Sequence, residues 1–440
     1  MTEQPPPDDQ NPFRGTPFEQ FFSGGAPDLG QLFSQLQSMM QPYDGPLNWD
    51  LAVDTARKTV AQQPDPSPTR KQRDDIADAV RLADHWLDDT TSFPSGVHTA
   101  VAWSRAEWIV GTTDVWKVLV EPIAASSVGA LGNALPAEAA SMGGPILAML
   151  GKAVGAMLAT QVGSGLGAMA GEVISASDIG VPLGPAGTAA LVPANVAVFA
   201  EGLDVPDSDV LLYLALREAA HQRLFAGVPW LRDHVLGAVT EYAQGIEINT
   251  DRIQQTMEER LRGIDPTNPA QMQELMEGGL FDIPRSPQQE AALKRLEIAL
   301  ALVEGWVDEV VGQAAGERMP TAAKLQEAVR RRRAAGGPAE ETFASLVGLQ
   351  LRPRRLRDAS TLWGSLRTRQ GIEARDGVWM SPHLLPTDAD LDDPLGFREG
   401  SDAPEELSPD AFVAQLRQLL DGATGDAGET GDARDSPTEE

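Results

Sequence analysis

The stretch "PDSDVLLYLALREAAHQRLFAGVP" restricts what this chain can fold into more than any other part of it. Its apolar residues recur at three- and four-residue intervals, which predicts a helix over about 208–226. Asp207 or Ser208 can cap the start, and Gly227 followed by Pro229 stops it. At the angular step of a helix, Arg217, Glu218 and His221 share a face with Val210, Leu211, Leu214, Leu224 and Phe225. Large apolar residues on one face demand burial, and a buried charge without a partner is strongly destabilising. The fold must therefore bring counter-groups to these three residues. The result is either an internal salt-bridge cluster that fixes helix packing or a functional cleft lined by the same side chains.

A second helix offers the counter-groups. "RSPQQEAALKRLEIALALVEGWVDEVVGQA" opens with a capping box from Ser286 to Gln289 and places Pro287 at the first helical position. Leu293, Leu296, Leu300, Val303, Val307 and Val311 form its apolar stripe. Glu304 lies at the rim of that stripe and Asp308 one turn further on. The expectation is that helices 208–226 and 287–312 pack with Glu304 facing the Arg217–His221 face.

The same helical spacing runs from "LNWDLAVDTARKTVA" to about Leu366, so the fold class is mainly α, one large domain over 45–390 with a few short strands. In "DIGVPLGPAGTAALVPANVAVFAEGL" proline and glycine rule out a long helix, and "AALVP" and "NVAVF" are the expected strands. The stretch "GGPILAMLGKAVGAMLATQVGSGLGAMAG" is too rich in glycine for a membrane span and carries Lys152, so it reads as closely packed helices. Residues 1–44 are expected to be a disordered arm with a short amphipathic helix in "DLGQLFSQLQSMM", and 391–440 an acidic disordered tail.

Composition narrows the chemistry. With no cysteine, disulfides, thiol catalysis and thiolate-bound zinc are excluded. Any zinc would depend on Asp, Glu and five histidines: His85, His98, His221, His234 and His383. The net charge of −29 is concentrated at the end, where 387–440 holds sixteen acids against three arginines. Such a tail repels phosphates, so nucleic acid is not an expected partner; an unidentified peptide or protein is. The start "MTEQPPPDDQNPF" has no cationic, apolar leader, which makes the expected location cytoplasmic. Against this acidic background, 324–375 has twelve bases and five acids, and Arg330, Arg331, Arg332 and Arg333 are its candidate anion-binding group.

"LREAAHQRLF" differs at one position from HExxH, the motif in which two histidines one turn apart hold zinc and the glutamate acts as general base. Together with "NWDLAVDTAR", "VPWLRDH", "LALVEGWVDEVV" and "RRRRAAGGPAEETFASLVGLQLRPRRLRDA", it resembles the actinobacterial zincin-like family, described as zinc-dependent metalloproteases or hydrolases. The resemblance covers about 45–390. It implies Glu218 as general base, His221 and Glu304 as zinc ligands, and Asp308 as the acid that orients a histidine. Arg217 stands where the family motif has its first histidine, leaving two of the three protein ligands that catalytic zinc normally takes. A rebuilt site would have to recruit His234 or His383. Two functions follow: a zincin-like hydrolase with a degenerate metal site, or a non-catalytic binding or scaffold protein whose site is a metal-free salt-bridge cluster.

Overall fold

The computed structural model describes residues 43–134, 144–244, 286–334, 342 and 355–397. The expected helix in "DLGQLFSQLQSMM" and the acidic tail beyond residue 397 lie outside them; of the tail expected from 391, residues 391–397 are described, with Leu391 buried at the end of a short helix. In chain order the elements are α1 (Trp49–Val60), α2 (Arg70–Leu87), β1 (Thr99–Ala102), α3 (Arg105–Ala134), α4 (Gly144–Glu172), β2 (Thr188–Leu191), α5 (Pro193–Ala200), α6 (Asp207–Gly227) and α7 (Pro229–Gln244). After the undescribed 245–285 come α8 (Pro287–Gly316), α9 (Ala322–Ala334), α10 (Leu356–Gln370), α11 (Ile372–Gly377) and α12 (Asp388–Asp392). The architecture is mainly α. Among the described residues, no helix is long and apolar enough to cross a membrane.

Local chemistry sets most helix starts. Asn48 caps α1 by accepting from the Leu51 N–H, and Thr69 and Gln72 form a reciprocal box at α2. Ser286 and Gln289 do the same for α8, with Pro287 in the first turn. The start of α6 differs from expectation: Pro206 is its N-cap and no side chain caps it, while Asp207 and Asp209 face the positive end of the helix dipole.

β1 and β2 form a two-stranded parallel sheet with Thr99 opposite Thr188 and Ala102 opposite Leu191. "AALVP" therefore supplies β2, as expected, but "NVAVF" lies in α5. The reason is Pro193, whose fixed φ suits the first position of a helix and whose missing N–H is no loss there. The short strand β1 had no recognisable sequence signal.

α1 lies along α4, and glycine makes the approach possible. A Cβ at Gly163 would sit 2.4 Å from the Ala52 carbonyl oxygen, and one at Gly167 2.7 Å from that of Ala56. This is the close packing expected of the small-residue segment. The core continues through Trp108, Trp116, Trp306, Trp363 and Trp379, all buried. At its centre α6 packs against α2, β2 and α8, and α8 also carries α7 and α10.

Candidate functional site

The face of α6 that carries the charges meets the rim of α8. Arg217 donates from Nη2 to Glu304 Oε2 at 2.6 Å, and His221 Nε2 lies 2.9 Å from Glu304 Oε1. A second guanidinium arrives from α9, with Arg333 donating from Nη2 to Oε1 at 3.0 Å. All four residues are at least nine-tenths buried. The turn after α4, which Asp178 ties to Arg332 of α9, closes over the carboxylate. Gly180 takes φ +77°, and a Cβ there would lie 3.0 Å from Glu304 Oε1, so the turn can pass only with glycine.

His221 is held at both ring nitrogens. Its Nδ1 lies 2.8 Å from the carbonyl oxygen of Arg217, one turn back on the same helix, and both of its partners are acceptors. Burial by itself would raise the pKa of Glu304, but Arg333, Arg217 and His221 outweigh it and hold the carboxyl far below the usual range. One carboxylate thus serves two guanidiniums and an imidazole.

Glu218 is on the same helix but in a different environment. It is fully buried and accepts from the Ser177 N–H at 3.2 Å and from Gln222 Nε2 at 2.9 Å, without a guanidinium. Burial pushes its pKa up, against the weaker opposing effects of His221 and the hydrogen bonds from Ser175, Gln222 and Ser177. Asp308 is turned elsewhere: Arg330 Nη2 lies 2.5 Å from Oδ2, and Ser360 Oγ donates to the same oxygen at 2.7 Å. It makes no hydrogen bond to His221, whose ring nitrogens are taken by Arg217 and Glu304. Tyr213, one turn before Arg217, is buried beside that guanidinium; burial pushes its hydroxyl pKa up against the lowering effect of Arg217.

The basic run is already engaged within the chain. Arg330 holds Asp308, Arg331 holds Glu327 on its own helix, Arg332 holds Asp178 at 3.0 Å, and Arg333 holds Glu304. The remaining histidines stay away from the cluster. His85, His98 and His383 are exposed, and His234 packs edge-on against Trp230. The structure therefore brings Arg217, His221 and Glu304 together, with Glu218 close by, and directs Asp308 to α9 and α10. Arg333, Asp178 and Ser177 were not legible as neighbours of the site, because they reach it through a turn and a third helix that no local spacing relates to α6. Tyr213 was missed although it lies on α6 one turn before Arg217, where the helical spacing could have found it.

A family model, zincin-like metallopeptidase, matches residues 47–397. The chain belongs to the zincin-like metallopeptidase family. A solved structure shares the fold: that of "a putative hydrolase with a novel fold" from Chloroflexus aurantiacus, 18% identical, with a TM-score of 0.53 over 84% of this chain and 99% of the other. No curated protein matches the sequence.

The family implies zinc, and the donor set does not fit it. Among the described residues, no three His, Asp or Glu side chains converge as a metal-binding group. Arg217 sets a guanidinium against Glu304, both of whose oxygens are already engaged, and both ring nitrogens of His221 lie against hydrogen-bond acceptors. Unit charges 4 Å apart at an effective dielectric of 20 interact by about 4 kcal/mol, so a dication beside Arg217 would meet about twice that in repulsion.

Proposed function

We propose that this zincin-like protein is non-catalytic: guanidinium groups take the place of the metal, and the fold serves to bind another protein segment. The observation that carries this reading is the 2.6 Å ion pair between Arg217 and Glu304, at the position where the family motif has a histidine. Family membership supports the rival reading of a hydrolase, in which Glu218 would be the general base and His221 and Glu304 the zinc ligands. Without metal, water keeps a pKa near 15.7 rather than about 7, and a lone carboxylate does not make up that difference.

Elemental analysis and a peptidase assay separate the two. The wild type is expected to purify with far less than one zinc per chain and to leave an unstructured protein substrate uncleaved. Arg217→His supplies the missing imidazole, but Arg333 still competes for Glu304. Arg217→His combined with Arg333→Gln is therefore expected to take up zinc more fully than either single variant. One zinc per wild-type chain, lost in His221→Ala, would restore the hydrolase reading.

A further inference from the structure

The seam between α1 and α4 advances in step along both helices. Ala52 faces Gly163 and Ala56 faces Gly167, so the two run parallel. The lead-in to α1 keeps that direction: Pro46 lies against Gly155, Leu47 is buried, and Tyr43 Oη is 3.4 Å from the Lys152 carbonyl oxygen. Followed upstream, the same register brings the residues before Tyr43 opposite the first two turns of α4, 144–151. Those turns read "GPILAMLG", without a polar side chain. All of α4 has two charged residues among 29, Lys152 and Glu172, and its main helical neighbours among the described residues are α1 and α3. A helix apolar on every side needs cover on every side.

We propose that the chain's own segment 28–40 packs on the first turns of α4, continuing the α1 seam past Tyr43. In "DLGQLFSQLQSMM", Leu29, Leu32, Phe33, Leu36, Met39 and Met40 fall within about 120° of one helical face, and glutamine and serine fill the opposite one. Asp28 can cap the start, and Pro42 stands just past the end. A helix this short is marginal in water, because its nucleation is costly, so its apolar stripe needs a surface to form on.

The tether decides which surface that is. Three residue steps separate Met40 from Tyr43, at most about 11 Å of extended chain, and Tyr43 is seated at Lys152. The stripe is thereby held beside the start of α4 at an effective concentration on the order of millimolar or higher, which a second copy or a separate protein does not match. Apart from Asp28 the segment carries no charge, so burying its apolar face against α4 strands no ion. Left apart, the segment and the first turns of α4 would be two apolar surfaces of the kind that drives self-association.

Because the chain has no cysteine, a pair of introduced ones reports the contact without background. In the full-length chain, Leu36→Cys is combined in turn with Ile146→Cys, Leu147→Cys and Leu150→Cys. At least one pair is expected to close an intramolecular disulfide under mild oxidation, since the bond needs the two positions side by side. Leu36→Cys with Leu82→Cys, on the exposed side of α2, should not. No bond to any of the three α4 positions, or equal yield with Leu82→Cys, would overturn the proposal. A disulfide found only between two chains would make a second copy the occupant and overturn it as well. If the cysteine variants do not fold, hydrogen exchange on the wild type decides. Amides of 28–40 should exchange at least about tenfold more slowly than in the free peptide, the factor for a segment docked nine-tenths of the time. Leu32→Ser with Leu36→Ser should remove that protection and speed exchange over 144–151, whereas Gln31→Ser with Gln35→Ser should not. Wild-type exchange at the free-peptide rate would show that the segment does not dock.

Discussion

At the scale of single residues, Glu304 is the hinge of the cluster and Arg217 one of its three supports. Removing one partner of a buried ion pair typically costs about 3–5 kcal/mol. Glu304→Ala strands Arg217, Arg333 and His221 together and is expected to reach or exceed the top of that range. Arg217→Ala leaves Glu304 with Arg333 and His221 and should cost less than Glu304→Ala. Denaturant midpoints of the two variants check the order, and an Arg217→Ala as damaging as Glu304→Ala would show that Arg333 and His221 do not share the charge. Glu218 acts in the opposite direction with pH. Because its folded pKa is raised, the neutral form is favoured by folding, and that contribution is complete below the unfolded value of about 4.3 and is lost as pH rises through the folded value. Glu218→Gln is therefore expected to stabilise relative to wild type at pH 8, with the gain disappearing near pH 4. For Glu304 the sign reverses: its lowered pKa contributes stability above about 4.3 that is lost only as strong acid is approached.

At the scale of elements, the contact between α8 and α10 depends on one glycine. A Cβ on Gly305 would lie 2.5 Å from the Ala359 Cβ and 2.7 Å from the Ser360 backbone nitrogen, neither of which can swing aside. Gly305→Ala is expected to cost about 1–3 kcal/mol as an overpacked contact. It should also move Ser360 off Asp308, loosening Arg330. Gly312, two turns along α8, is the control. A Cβ there meets the Gln326 amide nitrogen at 3.1 Å, the far end of a flexible side chain, so Gly312→Ala should be neutral or gain up to about 1 kcal/mol of helix propensity. Thermal unfolding of the two variants would test the difference.

At the scale of the whole molecule, a second buried network ties the beginning of the domain to its end. Asp376 accepts from Thr91 Oγ1, the Ser92 N–H, Trp306 Nε1 and Arg375 Nε at 2.7 to 2.9 Å. Arg375 also reaches Glu309 at 2.5 Å and the Thr90 carbonyl at 2.7 Å, and its guanidinium lies over the Trp306 ring. Residues 285 apart in sequence are thereby joined through α8. Arg375→Ala is expected to cost about 3–5 kcal/mol. In the wild type, tryptophan fluorescence and helical circular dichroism should report one coincident unfolding transition, as for a single cooperative unit. Two separated transitions would divide the chain.

The helices were legible because their causes are local: apolar spacing, the Ser286–Gln289 box, and the Gly227 and Pro229 stop all act within a turn or two. The burial of Arg217, Glu218 and His221 was legible for the same reason, since a helix face is a property of its own sequence. Glu304 as the counter-group of the Arg217–His221 face was also legible, from its place at the rim of the α8 stripe. The other partners were not: Arg333 reaches Glu304 over 29 residues, and Arg223, buried on the same helix as Arg217, finds Asp84 over 139. The sequence marked Arg330 to Arg333 as a basic run, but a run of charges looks alike whether it faces solvent or the protein's own carboxylates. The assignment of "NVAVF" to α5 instead of a strand lies between the two cases, because Pro193 is a local signal that outweighed β-branched composition. Chain-local physics determined the elements and their buried faces. Beyond Glu304 and the Arg217–His221 face, charge pairing was decided only by tertiary structure, because a Coulombic partner is chosen by distance in space, and distance in space is set when the whole chain packs.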